Sequence, residues 1–409
     1  MKILMIAQAF APVGGSHAVR VTNVVKALSE MGHEVTVLSA TSGNHKPETD
    51  LDLLRKVPAS VRVIRAFHGP MHEMMYRKPC RAGGGTGSST KGLKGLLCPD
   101  TYIEWFPFAL CQLLRLARRY RPDVIVSSAS PYTSHLVGLA AKRLFGVPWV
   151  VDSGDPWVYE PMHQRTGWRL LVERRMESAV LNNCDWFTVT TGPTLELYAE
   201  TYPVTIGKTS VISMGFAPED YPERDAAGTG AFRFVHTGRL TAHRDGSSFL
   251  AAVAQMQDEL RGRAEFHFYG GIPAPMLEQA RQEGIADLLV DGGWLHNSEC
   301  MSALRNAGAL LLFGNSNAIQ VPGKLFNYLG SGTPLLYLKN HAHREDACAE
   351  IIGRYPCAAA ANDVGAVKDA IRTAMTLTRG EGCGGEHSWT SKAAAFQEIF
   401  AGLVQPRSR

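Results

Sequence analysis

The chain has 409 residues, of which 45% are hydrophobic and 20% charged, and its formal charge is +4. That length exceeds one ordinary core and points to two domains of a globular protein, which excludes disordered and fibrous classes. So small a charge makes no case for nucleic acid. The eight cysteines are scattered without a C-x-x-C pair and read as free thiols of a reducing compartment.

The run Met1 to Ala7 is apolar apart from Lys2, but Gln8, Pro12, Gly14 and Gly15 interrupt it. It is too short for a signal peptide and suits a buried parallel strand over 3–7. No apolar run reaches the roughly 20 residues that cross a bilayer, so a cytoplasmic location is expected. A loop at 8–17 carries Gly14-Gly15. A helix over 18–31 follows, with Val21, Val24, Val25 and Leu28 on one face. Strands at 34–38 and 61–66 come next. An amphipathic helix then spans 108–120, with Leu110, Leu113, Leu114 and Ala117 on one side and Arg115, Arg118 and Arg119 around the other. Strand 123–127, helix 134–145, strand 149–151, helix 168–182 and strand 186–190 complete the first half.

Residues 204–231, with Pro218, Pro222, Gly228 and Gly230, break this rhythm and read as a linker. The alternation restarts with strand 232–237, helix 246–260 and strand 265–269. It continues through 288–290, helix 298–306 and strand 309–313. The expectation is an α/β protein of two Rossmann-like, doubly wound parallel-sheet domains, 1–204 and 205–387. A C-terminal segment, 388–409, carries a last helix. Residues 69–104 hold a glycine-rich, mildly basic tract at 81–91 that reads as a mobile lid, a lipid-facing loop or plain disorder.

Ligands of such sheets bind beyond the carboxyl ends of the strands. The most informative stretch there is Pro322-Gly323-Lys324, followed by a short helix, the stop Gly330-Ser331-Gly332 with Pro334, and the apolar strand Leu335 to Leu338. Pro322 and Gly323 turn the chain so that first-turn amides, the helix dipole and the Lys324 ammonium make an anion site. Gly238-Arg239, with Arg244 five residues on, adds two guanidinium groups at a strand end, a fit for a diphosphate. Surface arginines and an ordinary helix-to-strand unit are the alternatives. Gly14-Gly15 lets a ligand approach the backbone but lacks the G-x-G-x-x-G spacing. Asp155, in Asp152-Ser153-Gly154-Asp155-Pro156-Trp157, either faces a ligand as a polar group or caps a turn. His341, His343 and Asp346 lack a second cluster to complete a metal shell and read as solvated loop histidines.

Together these segments resemble the family-4 retaining glycosyltransferases of the GT-B fold. The likeness runs through Pro12-x-Gly14-Gly15, Arg20, Lys26-Ala27-Leu28, Gly32-His33-Glu34, Thr237-Gly238-Arg239, the 322–334 stretch and Ser388-Trp389, in that order. It implies two domains facing across a cleft, with the last helix crossing back to the first. The donor, a nucleotide-diphosphate sugar, would lie mainly on the second domain and a saccharide or lipid-linked acceptor on the first. Arg239 and Arg244 would neutralise the diphosphate, and Lys324 and Leu325 would line it. Gly14, Gly15 and Gly238 would approach it closely, and Asn327 would hold the ribose. Asp155, Arg239 and Lys324 would be catalytic. No metal or other cofactor is implied. The family's two glutamates are replaced by Ile319 and Asn327, Gly154 stands where relatives have arginine, and Arg244 replaces lysine. A sugar-nucleotide epimerase on the same fold is one alternative, and Ile319 and Asn327 keep an inactive sugar-nucleotide-binding partner as another. The basic helix at 108–121 suggests peripheral contact with anionic membrane in bacterial surface glycan synthesis.

Overall fold

The computed structural model describes residues 1–41, 49–76, 97–161, 165–225, 230–240, 244–343, 346–380 and 385–404. The glycine-rich tract at 81–91 lies outside them. Two compact units emerge, one from Met1–Ser213 together with the chain from Trp389 onward, the other from Met214–Ser388.

The first unit contains a seven-stranded sheet. Its strands are β1 (Lys2–Ile6), β2 (Glu34–Ala40), β3 (Arg62–Ala66), β4 (Val124–Ala129), β5 (Trp149–Ser153), β6 (Trp186–Val189) and β7 (Thr209–Val211). They run parallel in the order β3-β2-β1-β4-β5-β6-β7. The second unit repeats the plan with β8 (Phe232–Thr237), β9 (Ala264–Tyr269), β10 (Leu289–Gly293), β11 (Ala309–Phe313), β12 (Leu335–Leu338) and β13 (Cys357–Ala360). Its order is β10-β9-β8-β11-β12-β13, again parallel. In each sheet the strand order reverses beside the first strand, between β1 and β4 and between β8 and β11. Such switch points open a crevice at the carboxyl ends.

Parallel strands buried on both faces read as continuous apolar runs, and β8 and β11 fall at the expected 232–237 and 309–313 for that reason. The linker is shorter than its composition suggests. Residues Thr209–Val211 pair with Phe187–Val189, so the first unit extends to Ser213 instead of ending at 204. Cys357–Ala360 is a strand made almost wholly of alanine, a composition without strand propensity. The helix expected at 246–260 breaks at Met256 into Ser247–Gln255 and Gln257–Leu260. The basic helix starts three residues early, at Trp105–Leu116, because Trp105 is fully buried. Its outer face is also less polar than expected: Phe108 is 37% and Leu114 51% exposed, beside exposed Arg115, Arg118 and Arg119. The terminal helix Trp389–Leu403 packs on the helix Ser16–Glu30.

One buried ion pair ties the first unit together. Arg20, on the helix Ser16–Glu30, is 1% exposed and reaches both carboxylate oxygens of Asp152 on β5, at 3.1 and 2.7 Å. The same guanidinium donates to the carbonyls of Ile212 (2.9 Å) and Ser213 (2.8 Å), where the chain leaves the unit. The hydroxyls of Ser128 and Thr188 complete the carboxylate's shell from the neighbouring strands β4 and β6. Burial alone would raise the Asp152 pKa, but Arg20 and these hydroxyls bring it down to about 2.

Arg20→Met strands a buried carboxylate and should cost about 3–5 kcal/mol of first-unit stability at pH 7, measured by urea unfolding. Asp152 has a folded pKa below its unfolded value of 3.8, so its contribution is present above pH 3.8 and fades toward pH 2. The wild-type advantage over Arg20→Met should shrink across that window. A variant as stable as wild type at pH 7 contradicts this role.

Candidate functional site

Glycines crowd the carboxyl end of β8. Gly238 follows the strand at φ 80°, donates its amide to the Tyr269 carbonyl at 2.6 Å, and lies against Gly270 at φ 121°. A Cβ on Gly270 would sit 2.8 Å from the Gly238 carbonyl carbon, and a Cβ on Gly238 would sit 3.2 Å from Lys324 Nζ. Only glycine takes these left-handed conformations without strain, and only glycine lets the two loops meet.

The helix Lys324–Ser331 comes from the other side of the switch point, after β11. Tyr328, fully buried, accepts the Thr237 amide on its hydroxyl at 2.8 Å. One turn earlier on the same face, Lys324 donates to the Thr237 carbonyl and to His236 Nε2, the latter at 3.1 Å. Helix and strand end are thus clasped through both polar groups of one residue. Gly332 ends the helix in the left-handed region, at φ 68°, as expected. Gly330, expected to share in that stop, lies inside the helix. It is a packing glycine, since a Cβ there would meet Phe216 at 2.4 Å and the Tyr221 hydroxyl at 2.8 Å.

Arg244 joins this cation. Its Nε donates to Asn315 Oδ1 at 3.1 Å and its Nη1 to the Arg239 carbonyl at 3.3 Å. Asn315 is 5% exposed and donates in turn to the Gln320 carbonyl at 3.0 Å. Asn317 ties the same turn by accepting the amides of Ile319 and Gln320. Amide side chains therefore order the loop in which the family resemblance led one to look for a glutamate. Burial first, and then the Arg244 charge, push the Lys324 pKa down to about 7. Burial also lowers that of Arg244. Among the described residues, no carboxylate neutralises these two cations at their shared strand end, which is the electrostatics of an anion site.

The second unit therefore brings together Gly238, Arg244 and Lys324, with Arg239 exposed on the same turn. Leu325 departs from expectation. Its side chain is fully buried in the core, and its amide is bonded to the Pro322 carbonyl at 2.9 Å. The Phe326 amide is likewise taken by Gly323, so the helix opens with tight local bonds in place of the free amides expected. Asn327 is half-buried, and its carbonyl accepts the Tyr221 hydroxyl at 2.6 Å.

The remaining candidates stand on the first unit. Gly15, at φ 100°, precedes the helix that carries Arg20, and Gly14 lies just before it. Asp155 is exposed two residues beyond β5, where its carbonyl accepts the Ser153 hydroxyl at 2.8 Å. Among the described residues no group of three His, Cys, Asp or Glu side chains has metal-binding geometry. His341 is not solvated as expected. Its side chain is 3% exposed and lies 3.6 Å from Asp346, which caps the helix Ala347–Ile352. His236 and Asn315 were missed by sequence reasoning because a lone imidazole in an apolar strand and one of several loop asparagines carry no motif.

Residues 15–215 match the family model described as a glycosyl transferase 4-like domain. No curated protein matches the sequence. Among solved structures, the chain is similar to HepE of Anabaena in complex with UDP and glucose. That match has 14% identity and a TM-score of 0.62, over 99% of this chain and 96% of that one. WaaG, a glycosyltransferase involved in lipopolysaccharide biosynthesis, matches at 11% identity and 0.60, over 99% and 100%. A UDP-GlcNAc 2-epimerase from Methanocaldococcus jannaschii matches at 10% and 0.58, over 98% and 100%. The chain therefore has the two-domain α/β fold of GT-B glycosyltransferases.

Lys324→Ala should weaken binding of the cognate nucleoside diphosphate by about 1.5–3 kcal/mol, the scale of a charged hydrogen bond. An anion favours the ammonium over the free amine, so binding should take up a proton above pH 7 and weaken by up to about tenfold per pH unit. Calorimetry at pH 8 in buffers of different ionisation enthalpy measures that uptake. Its absence from wild type would refute the assignment.

Proposed function

We propose that the protein is a retaining, metal-independent glycosyltransferase. It moves a sugar from a nucleotide-diphosphate sugar to a saccharide or lipid-linked acceptor in bacterial surface glycan synthesis. The observation that carries this reading is the pairing of Lys324 and Arg244 on the end of β8, at the switch point of the second sheet, with no carboxylate beside them among the described residues. HepE binds UDP, and WaaG is involved in lipopolysaccharide biosynthesis, which supports a sugar-nucleotide donor and a surface-glycan setting.

Departure of a nucleoside diphosphate leaves negative charge on its phosphate oxygens. Preorganised cations in a partly dry site stabilise that charge at no cost of reorganisation. Lys324 supplies one fixed donor, Arg244 a planar fork held by Asn315, and Arg239 a second, exposed guanidinium. These groups do what a divalent ion does elsewhere, so no cofactor is required. Asn327 takes the ribose as a neutral hydrogen-bonding group. The acceptor belongs to the first unit, with Asp155 as its polar group.

The epimerase fold match keeps one rival open, in which donor is converted without acceptor. Incubation with a panel of sugar nucleotides decides between them. Release of nucleoside diphosphate that rises at least tenfold with a saccharide or lipid-linked acceptor is the expected outcome. Conversion to an epimeric donor without acceptor, or binding without any turnover, would refute the transferase.

The acceptor side carries a second proposal. Among the described residues no helix is long and apolar enough to cross a membrane. The exposed face of Trp105–Leu116, by contrast, combines Phe108, edge-on to Phe67 at 5.1 Å, and Leu114 with Arg115, and exposed Arg118 follows in the next turn. Such a mixed face suits the surface of an anionic bilayer. Sedimentation with anionic vesicles should pull down the protein at low salt, and Leu114→Glu should reduce the bound fraction severalfold. Equal recovery with neutral and anionic vesicles would remove the proposal.

A further inference from the structure

We propose that His236 is a positioning residue for the donor site, a neutral imidazole that holds the Lys324 ammonium against the end of β8 without cancelling its charge. The inference rests on the donor-site reading above and adds a residue that none of the sequence motifs contains. His236 is the penultimate residue of β8 and is 1% exposed. Its Nδ1 lies 2.8 Å from the Leu311 carbonyl of β11, across the switch point. A carbonyl only accepts, so Nδ1 carries the proton and Nε2 offers a lone pair. That lone pair faces Lys324 Nζ at 3.1 Å, a group that only donates. One tautomer satisfies both contacts, and an imidazolium satisfies neither the ammonium nor its charge.

The ring is fixed in place. It lies 5.8 Å from Phe268 of β9 and edge-on to Phe313 of β11 at 5.4 Å. The charged and titratable groups that act on this pair are Arg244 from the loop after β8 and Cys300 from the helix Asn297–Asn306. Neither is a carboxylate. A carboxylate would hold the lysine as well but would neutralise it and compete with phosphate. With Thr237 and His236 taking two of the ammonium's three donors, one N–H of Lys324 is left for an incoming anion. The electrostatics agree. Burial first and Lys324 second press His236 well below the usual histidine range, which keeps the ring neutral.

Accepting a hydrogen bond from the ammonium favours its charged form. Removing the acceptor makes Lys324 lose its proton at lower pH, so anion binding should suffer most on the alkaline side. The test uses the full-length protein, calorimetry from pH 5.5 to 9, and whichever of UDP, GDP or dTDP binds. His236→Phe keeps the aromatic packing and removes both nitrogens. It should bind about tenfold more weakly at pH 8 and converge with wild type at the acid end. His236→Gln, which retains an acceptor, should recover most of the loss. A pH profile identical to wild type, or a loss uniform across pH, would overturn the proposal. Lys324→Ala separates the two levels. If it binds as wild type does, the donor-site reading fails, whereas if it loses affinity and His236→Phe does not, only the role of His236 fails. Should His236→Phe not fold, ¹⁵N spectra of the wild-type imidazole decide. A neutral Nδ1–H ring from pH 6 to 8 is expected, and an imidazolium or an Nε2–H tautomer there contradicts it.

Discussion

The second unit depends on how one helix grips one residue. Tyr328 takes the Thr237 amide and Lys324 takes the Thr237 carbonyl, four residues apart on the same helical face. The tyrosine is part of the apolar core and the lysine is only partly buried, so packing energy in the core sets the position of a charge at its edge. Arg244 then has a fixed neighbour, and Asn315 fixes Arg244. A cation brought partly out of water without a counterion is costly, and the fall of the Lys324 pKa to about 7 is that cost made visible. An anionic ligand relieves it.

The first unit uses the carboxyl end of its sheet for the opposite purpose. Arg20 also reaches the carboxyl end of its sheet, but there Asp152 meets it with both oxygens, and the chain leaving the unit supplies two carbonyls. Every donor that is used points inward. Comparable chemistry at the carboxyl ends of two sheets thus gives a structural lock in one unit and an unneutralised pair in the other. The presence or absence of a carboxylate separates the two.

Much of this was legible in the sequence, and the legible part has a pattern. Long apolar strands such as Phe232–Thr237 and Ala309–Phe313 are visible because both of their faces are buried. The Pro322–Pro334 segment was visible because proline and glycine punctuate it, and Lys324 was found through it. Leu325 and Gly330 were read wrongly for a shared reason. Both sit in that conspicuous segment, yet their surroundings are set by Tyr328, Phe216 and Tyr221, which are far away in sequence or silent in a motif. The short strand Thr209–Val211 is held by pairing with β6 and not by its own composition, so no local signal reports it. His236 and Asn315 gain their meaning only from partners 75 and 71 residues away.

The most direct measurement is a crystal structure of the protein with its cognate nucleoside diphosphate. A phosphate oxygen within hydrogen-bonding distance of Lys324 Nζ, with Arg244 on the same diphosphate, is the predicted result. Well-ordered phosphates bound elsewhere, with Lys324 still turned onto Thr237 and no anion beside it, would contradict the claim that this clasped cation exists to receive them.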